Sequence, residues 1–428
     1  MWFGLRAGLP FSGWKRGIPI ARCDPMSPRS LAILGAPPLS RSRHAPLAAK
    51  GFRPFFLGAA AFAALILPVW LCTLAGVLSP GRYLDVVTWH AHEMIFGFAV
   101  AVIAGFLLTA VGNWTARETV VGRPLLFTAA LWGAGRIAMA LAGQLPRGVP
   151  ALVDLAFLPL IAVLIARPMI AARKGRNLIM VAVLTALWLA NLVIHLEALG
   201  VLAGVRHRAT IFAVDVLVLL TIVIAGRVLP MFTKNATGLA SVRSLPSLDK
   251  AAISAMVACT VLAATSLDAR IQGVAAAVTA VLVACRAWQW GARHTARVPL
   301  LWILHVGHAW IVIGLGLRAA AAFTSVVPAS AATHALTVGA VGALTLGMMS
   351  RVSLGHTGRL LASPRLVSAS FALLTLAALV RVAAPIVDLG AYRASLFVAG
   401  TLWTVAFLLF LVVYAPILTS ARVDGKPG

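Results

Sequence analysis

Twelve apolar stretches follow one another between residues 55 and 418, joined by short polar segments. Most reach the ~18 residues that suggest a transmembrane helix. In hydrocarbon every backbone polar group must be satisfied within the protein, so only helices and closed barrels span a bilayer. The alternating ten-residue segments of a barrel are absent. The pattern predicts helices near 55–79, 88–112, 124–143, 149–169, 177–200, 209–229, 248–267, 271–290, 299–323, 331–350, 366–386 and 394–418. Composition agrees. The 428 residues are 61% hydrophobic and 11% charged, with mean hydropathy +0.97, whereas a soluble domain carries roughly 25% charged residues. The expected fold is all-α: a polytopic membrane protein of about twelve transmembrane helices.

The net charge is +25, but its distribution argues against a nucleic-acid partner. Most of the 36 Lys and Arg fall in segments on the N-terminal side of the membrane. That bias puts both termini in the cytoplasm, with the basic segments facing anionic lipid. Cys23, Cys72, Cys259 and Cys285 form no CxxC pair, so they read as packing residues rather than a disulfide framework or zinc site. Residues 1–50 are basic, contain Pro and Ser, and lack a signal-peptide pattern. They read as a disordered cytoplasmic extension, with Met26 an alternative start. Residues 51–420 form the transmembrane domain and 421–428 a cytoplasmic tail.

The chain carries a sign of repetition. Gly105, Gly226 and Gly347 are equally spaced, 121 residues apart, each near the same end of its predicted helix and each followed by a polar segment. Helices 2, 6 and 10 are therefore expected equivalents in three parallel four-helix units, related by an axis along the membrane normal.

Six histidines lie within predicted spans, where ionisable groups are costly and mark function. His90, His92, His195 and His334 fall at the outer end of their helices. His305 and His308 lie deeper, about 9 Å and 14 Å along helix 9. Imidazole is a common ligand for iron and copper, so all six are candidate cofactor ligands, with His90, His92 and His334 the candidate metal set. On a regular helix His90 and His92 point about 200° apart. Either the helix start is irregular and both ligate one ion, or one ligates while the other hydrogen-bonds. Glu93, three residues after His90, is placed to fix an imidazole tautomer or pass protons. Arg136, Arg318 and Arg381 are the intramembrane cations, and Asp154, Glu197 and Asp215 the remaining anions. They either pair with one another, the favoured role for Asp154 and Arg381, or clamp propionates. At the cytoplasmic rim Arg227, Arg351 and His356 join Glu93 and Arg136 as candidates for supporting, propionate or proton-path roles. His44, His207 and His294 fall in exposed segments. No phosphate loop, HExxH, GxSxG or CxxCH motif is present, which excludes covalent haem and leaves haem b open.

Gly51-Phe52-Arg53-Pro54-Phe55-Phe56, Trp89-His90-Ala91-His92-Glu93-Met94-Ile95-Phe96-Gly97-Phe98 and Ala104-Gly105-Phe106-Leu107-Leu108-Thr109-Ala110-Val111-Gly112-Asn113-Trp114-Thr115 resemble, in this order, motifs of the NnrS family of bacterial membrane proteins. The stretches 226–233, 305–310 and 334–359 resemble it as well. The resemblance implies a twelve-helix inner-membrane protein that binds haem and copper and acts in nitric oxide metabolism and resistance to nitrosative stress, with nitric oxide as its small ligand. It does not say which histidine takes which metal, nor whether the protein turns over a substrate. Two other classes fit the residues. One is a secondary transporter with a His/Glu/Arg path, since twelve helices and internal repeats are common there. The other is a quinol-linked enzyme that reduces nitric oxide.

Overall fold

Capping groups and prolines set where the helices begin. Asp85 accepts from the backbone N–H of Val87 (3.1 Å) and Thr88 (3.0 Å) and opens the helix that begins at Val86. Asp268 accepts from Arg270 N–H at 2.7 Å and opens the helix that begins at Ala269. Prolines in the first turn of the helices that begin at Arg123, Pro246 and Pro299 cost no hydrogen bond there. Gly238, at φ 69°, closes the helix Arg206–Thr237 in the left-handed conformation that glycine adopts without penalty.

The computed structural model describes residues 44–78, 83–388, 390–426 and 428. The expected extension, up to residue 43 and including Met26 and Cys23, lies outside the described residues. Among these are twelve long helices and no strand: α1 Phe52–Leu74, α2 Val86–Thr115, α3 Arg123–Ala140, α4 Gly148–Ala171, α5 Gly175–Ala198, α6 Arg206–Thr237, α7 Pro246–Ala263, α8 Ala269–Ala287, α9 Pro299–Phe323, α10 Ala329–His356, α11 Arg365–Val387 and α12 Tyr392–Thr419. Each corresponds to one predicted stretch. Eleven are long and apolar enough to cross a membrane; α3 is the exception. Its 18 residues extend about 27 Å, and Arg123 and Arg136 lower its hydropathy. The protein is a multi-pass membrane protein.

Successive helices pack side by side. α4 lies on α5, α8 on α9, and α12 returns to α1. α2 and α10 sit deepest, with 78% and 72% of their most apolar windows buried. Both depart from α-geometry at matching places. In α2 a π-helical segment spans Glu93–Ala99, directly after His92. In α10 one spans Ala335–Gly342, directly after His334. Such segments are rare and frequent at functional sites. The equally spaced glycines each mark a close approach. A Cβ at Gly105 would stand 2.8 Å from the Phe55 Cβ of α1, and one at Gly347 would stand 2.7 Å from Leu304 of α9. Gly226 instead meets Arg286 of α8. Thus α2 and α10 share a histidine, a π segment and a glycine against the preceding helix, whereas α6 shares with them the spacing of its glycine.

Two arginines, Arg53 fully buried and Arg318 partly buried, tie the structure away from the histidines. Arg318 holds Asp215 through two contacts, at 2.7 and 2.8 Å. Arg53 donates to the carbonyls of Leu418 (2.9 Å), Ser420 (2.7 Å) and Gly428 (2.9 Å). The first two are carbonyls left open at the end of α12, and the third belongs to the tail beyond it. The tail after α12 therefore packs on the start of α1, and Ala48 and Ala49 are buried there as well.

Candidate metal centre and cofactor cleft

A break in α4 builds the first site. The α-helical runs Gly148–Leu155 and Phe157–Ala171 meet at Ala156. The Leu155 carbonyl, near that break, accepts from Trp188 Nε1 of α5 at 3.1 Å. That bond holds Asp154 against α5. There Asp154 Oδ2 accepts from Asn191 Nδ2 (2.6 Å) and His195 Nε2 (3.0 Å), and lies 3.3 Å from His92 Nε2. Arg136 of α3 contacts Asp154 Oδ1 through Nη2 and donates to Glu93 Oε1 through Nη1 at 2.7 Å. His92 Nδ1 donates to the same Glu93 oxygen at 2.8 Å. His195 Nδ1 accepts from the Tyr83 hydroxyl at 2.8 Å. His92, Glu93, Arg136, Asp154, Asn191 and His195 are all buried.

Two features of this cluster call for a cation. First, Glu93 and Asp154 face one guanidinium, leaving one net negative charge when both imidazoles are neutral; buried charge needs compensation. Second, with Nδ1–H given to Glu93, His92 Nε2 meets only acceptors: Asn191 Oδ1 at 3.0 Å and the Asp154 carboxylate. The Asn191 amide cannot turn to relieve this, because its NH2 group is given to Asp154. A neutral ring cannot satisfy oxygen atoms at both nitrogens. Either a second proton or a metal ion resolves the conflict. One ligand atom each from His92, Asp154 and His195 lies within 4.8 Å of the others. Two imidazoles and a carboxylate suit a first-row transition ion, and copper binds such a site most tightly in the divalent series.

The second site is a cleft of about 340 Å³ between the N-terminal ends of α2, α6 and α10 and the adjoining faces of α1, α11 and α12. His90 and His334 line it, with apolar walls that include Met94, Phe98 and Trp403. His90 stacks on Trp70, ring centroids 4.1 Å apart. His334 Nδ1 donates to Ser330 O at 2.7 Å, leaving Nε2 as its free donor atom. Arg381 also lines the cleft. It contacts the Tyr392 hydroxyl at 3.3 Å, and its Nη1 is buried without a hydrogen-bond partner. These residues fit haem: imidazole for iron, apolar walls for the ring, and a spare guanidinium for a propionate.

The cleft adjoins a polar vestibule of about 400 Å³; Val87, Ala91, His207 and Thr210 line both. Asp85 and Glu197 hold Arg206 there, at 3.0 and 3.1 Å. Burial pulls the Asp85 carboxyl upward. The Thr88 hydroxyl and N–H, Arg206 and the Val87 N–H outweigh it and hold the group below its usual range.

A family model described as NnrS protein matches residues 46–422. The chain belongs to the NnrS family. A comparison with curated proteins finds no match.

In this NnrS-family protein the six intramembrane histidines divide three ways. His92 and His195 meet in the cluster, and His90 and His334 line the cleft. His305 goes to Thr233 Oγ1 at 2.9 Å, and His308 packs on Trp290 with ring centroids 4.7 Å apart. His90, His92 and His334 are thus not one metal set, because residues two apart on α2 face different neighbours. Glu93 serves His92 rather than His90, drawn to Arg136. Asp154 does pair with an arginine, but it also bridges both histidines. Arg381 has no carboxylate partner among the described residues. Arg227 is exposed, and Arg351 lies over the Phe232 ring at 4.0 Å. Each is ten residues, about 15 Å, beyond the cleft wall on its own helix. His356 packs on Phe52. Neither rim arginine, nor His356, supports the two sites. The sequence does not mark Asn191 or Tyr83, and it places His207 in an exposed segment; the structure keeps His207 exposed but on the wall of both cavities. The signal for Asn191 is its place one helical turn before His195. For His207 it is its position at the start of α6, beside the starts of α2 and α10.

Proposed function

We propose that this NnrS-family protein holds haem b in the His90–His334 cleft and copper at His92, Asp154 and His195, and binds nitric oxide as part of resistance to nitrosative stress. Its expected place is the bacterial inner membrane, with both termini cytoplasmic. The observation that carries the reading is the pair of separate donor sets on α2. His92 Nε2 faces only acceptors and calls for a cation, whereas His90 faces a cleft that also holds Arg381, whose Nη1 has no hydrogen-bond partner. Iron or copper with an open coordination position would supply ligation of nitric oxide. The chain's own residues do the rest. Ser330 fixes the His334 tautomer so that Nε2 keeps a lone pair to offer a metal, Trp70 fixes the plane of His90, and Arg381 supplies a counter-charge at the cleft wall. Glu93 and Arg136 orient His92, and the apolar cleft walls exclude water.

The test is an optical spectrum with metal analysis of the purified protein and its variants. His334→Ala is expected to lose the reduced b-type spectrum and keep copper. His195→Ala is expected to lose copper and keep the haem spectrum. Absence of both haem and copper from wild-type protein prepared with both supplied would overturn the proposal.

A second reading has its own observation. Tyr83, His195, Asp154, His92, Glu93 and Arg136 form one continuous polar chain, the form a proton path in a transporter takes. Proton-coupled flux in proteoliposomes from metal-free protein, lost in Asp154→Asn, would favour that reading.

A further inference from the structure

The three helices that frame the cleft also frame a second cavity deeper in the bundle. This chamber, about 80 Å³, lies between α2, α6 and α10, with Phe56 of α1 on its wall. The two cavities are close. The last cleft-lining residues on the three helices are Ala99, Leu217 and Val341. The first chamber-lining residues are Val102, Leu220 and Leu344. On every helix the step is three residues, about 4.5 Å. On α2 and α10 it falls where the π segment gives way to α-helix, since those segments end at Ala99 and Gly342.

The chamber's chemistry is one-sided. Its only hydroxyls are those of Thr221 and Thr345, and both are turned back onto their own helices. Thr221 donates to Val218 O at 2.8 Å, and Thr345 to Val341 O at 2.7 Å. No polar group is left to hold a water or an ion, and a water needs two to four partners to stay in a cavity. Dry apolar cavities bind small apolar guests such as xenon. Ile103, Phe106, Ile224, Val228 and Met348 on the wall are only half-buried, so the chamber opens toward the outside of the bundle. It does so at the level of apolar helix, where the surroundings are hydrocarbon and uncharged gases concentrate.

We infer that this chamber binds a small uncharged diatomic gas drawn from the bilayer and delivers it to the cleft. The occupant is fixed by size and polarity: the chamber is too small for lipid or quinone and has no group for an ion. The delivery step rests on the cleft being the haem site.

Two measurements separate the chamber from the haem assignment. Crystals pressurised with xenon should show one xenon atom in the chamber of wild-type protein and none in Ala225→Leu, whose added side chain fills the space. Carbon monoxide recombination after flash photolysis of the reduced haem protein should slow about tenfold in Ala225→Leu, with the reduced spectrum unchanged. Val102→Phe fills the same space from α2 and serves if Ala225→Leu does not fold. Absence of xenon from the wild-type chamber overturns the inference. So does an unaltered carbon monoxide rate in a filled chamber that retains haem. Protein without haem overturns the cleft assignment and, with it, delivery; xenon binding then still decides whether the chamber holds gas.

Discussion

His90 and His92 stand two residues apart on α2 and do not share a site. His90 stacks on Trp70 and lines an apolar cleft, whereas His92 is enclosed by Glu93, Asn191 and Asp154. The backbone between them is regular α-helix, so the two rings point to different neighbours, and the π segment begins only at the next residue. α2 therefore carries two chemistries within one turn.

Arg381 decides whether the cleft takes an anionic group. Arg381→Leu removes a guanidinium that has no carboxylate partner among the described residues and puts an apolar side chain in its place. A hydrogen bond to a charged group is worth about 1.5–3 kcal/mol, so haem affinity is expected to fall at least about tenfold, with copper content unchanged. Haem titration of the stripped protein, followed optically, checks this.

Asp154 joins four partners in a buried setting, so its removal is expected to be costly. Asp154→Ala leaves Arg136 and both imidazoles without their shared acceptor, and breaking a buried charged pair costs about 3–5 kcal/mol. The partners act as a unit, so Arg136→Met combined with Asp154→Leu should cost less than the sum of the two single changes. Equilibrium unfolding in mixed micelles measures both.

Gly105 and Gly133 form a matched pair for testing helix contact. A Cβ at Gly105 would meet Phe55 at 2.8 Å, while one at Gly133 meets nothing within 4 Å. Gly105→Ala is expected to destabilise by about 1–3 kcal/mol through overpacking. Gly133→Ala should be neutral or gain up to about 1 kcal/mol of helix propensity. Thermal unfolding in one detergent compares them.

The tail gives a pH dependence outside the membrane. Arg422 donates to both oxygens of Asp424, at 2.9 and 2.6 Å, and to His356 O at 2.8 Å. The hydrogen bond from Arg422 holds the Asp424 carboxyl at about 2, below its ordinary 3.8. A depressed carboxyl stabilises the folded form above the ordinary value, and that contribution is lost as pH falls through the folded value. Hydrogen exchange at the Val423 amide, which donates to Thr357 O at 3.1 Å, should show constant protection at neutral and mildly acidic pH. Protection should fall only below about pH 4. Asp424→Asn should abolish that transition.

Local pattern along the chain is enough for the membrane class, the family, which helices carry the intramembrane histidines, and the twelve helices, with ends within a few residues except where α6 and α10 run on to Thr237 and His356. These follow from local rules, because hydrocarbon demands long apolar helices and imidazole within them is conspicuous. Depth along each helix was legible too: it put His90, His92, His195 and His334 in one layer. How that layer divides was decided only by the tertiary structure. Whether His92 meets His195 or His90 depends on the rotation of α2 against α5 and on the break at Ala156 that turns Asp154 inward. Asp154 reads as one half of an ion pair because its partners on α5, Asn191 and His195, are 37 and 41 residues away in sequence. Arg381 reads as paired because no local pattern reveals that a guanidinium lacks a carboxylate. Helix faces are assigned by packing among residues distant in the chain, and the periodicity of one apolar helix, buried on nearly every side, does not record which neighbour each face meets.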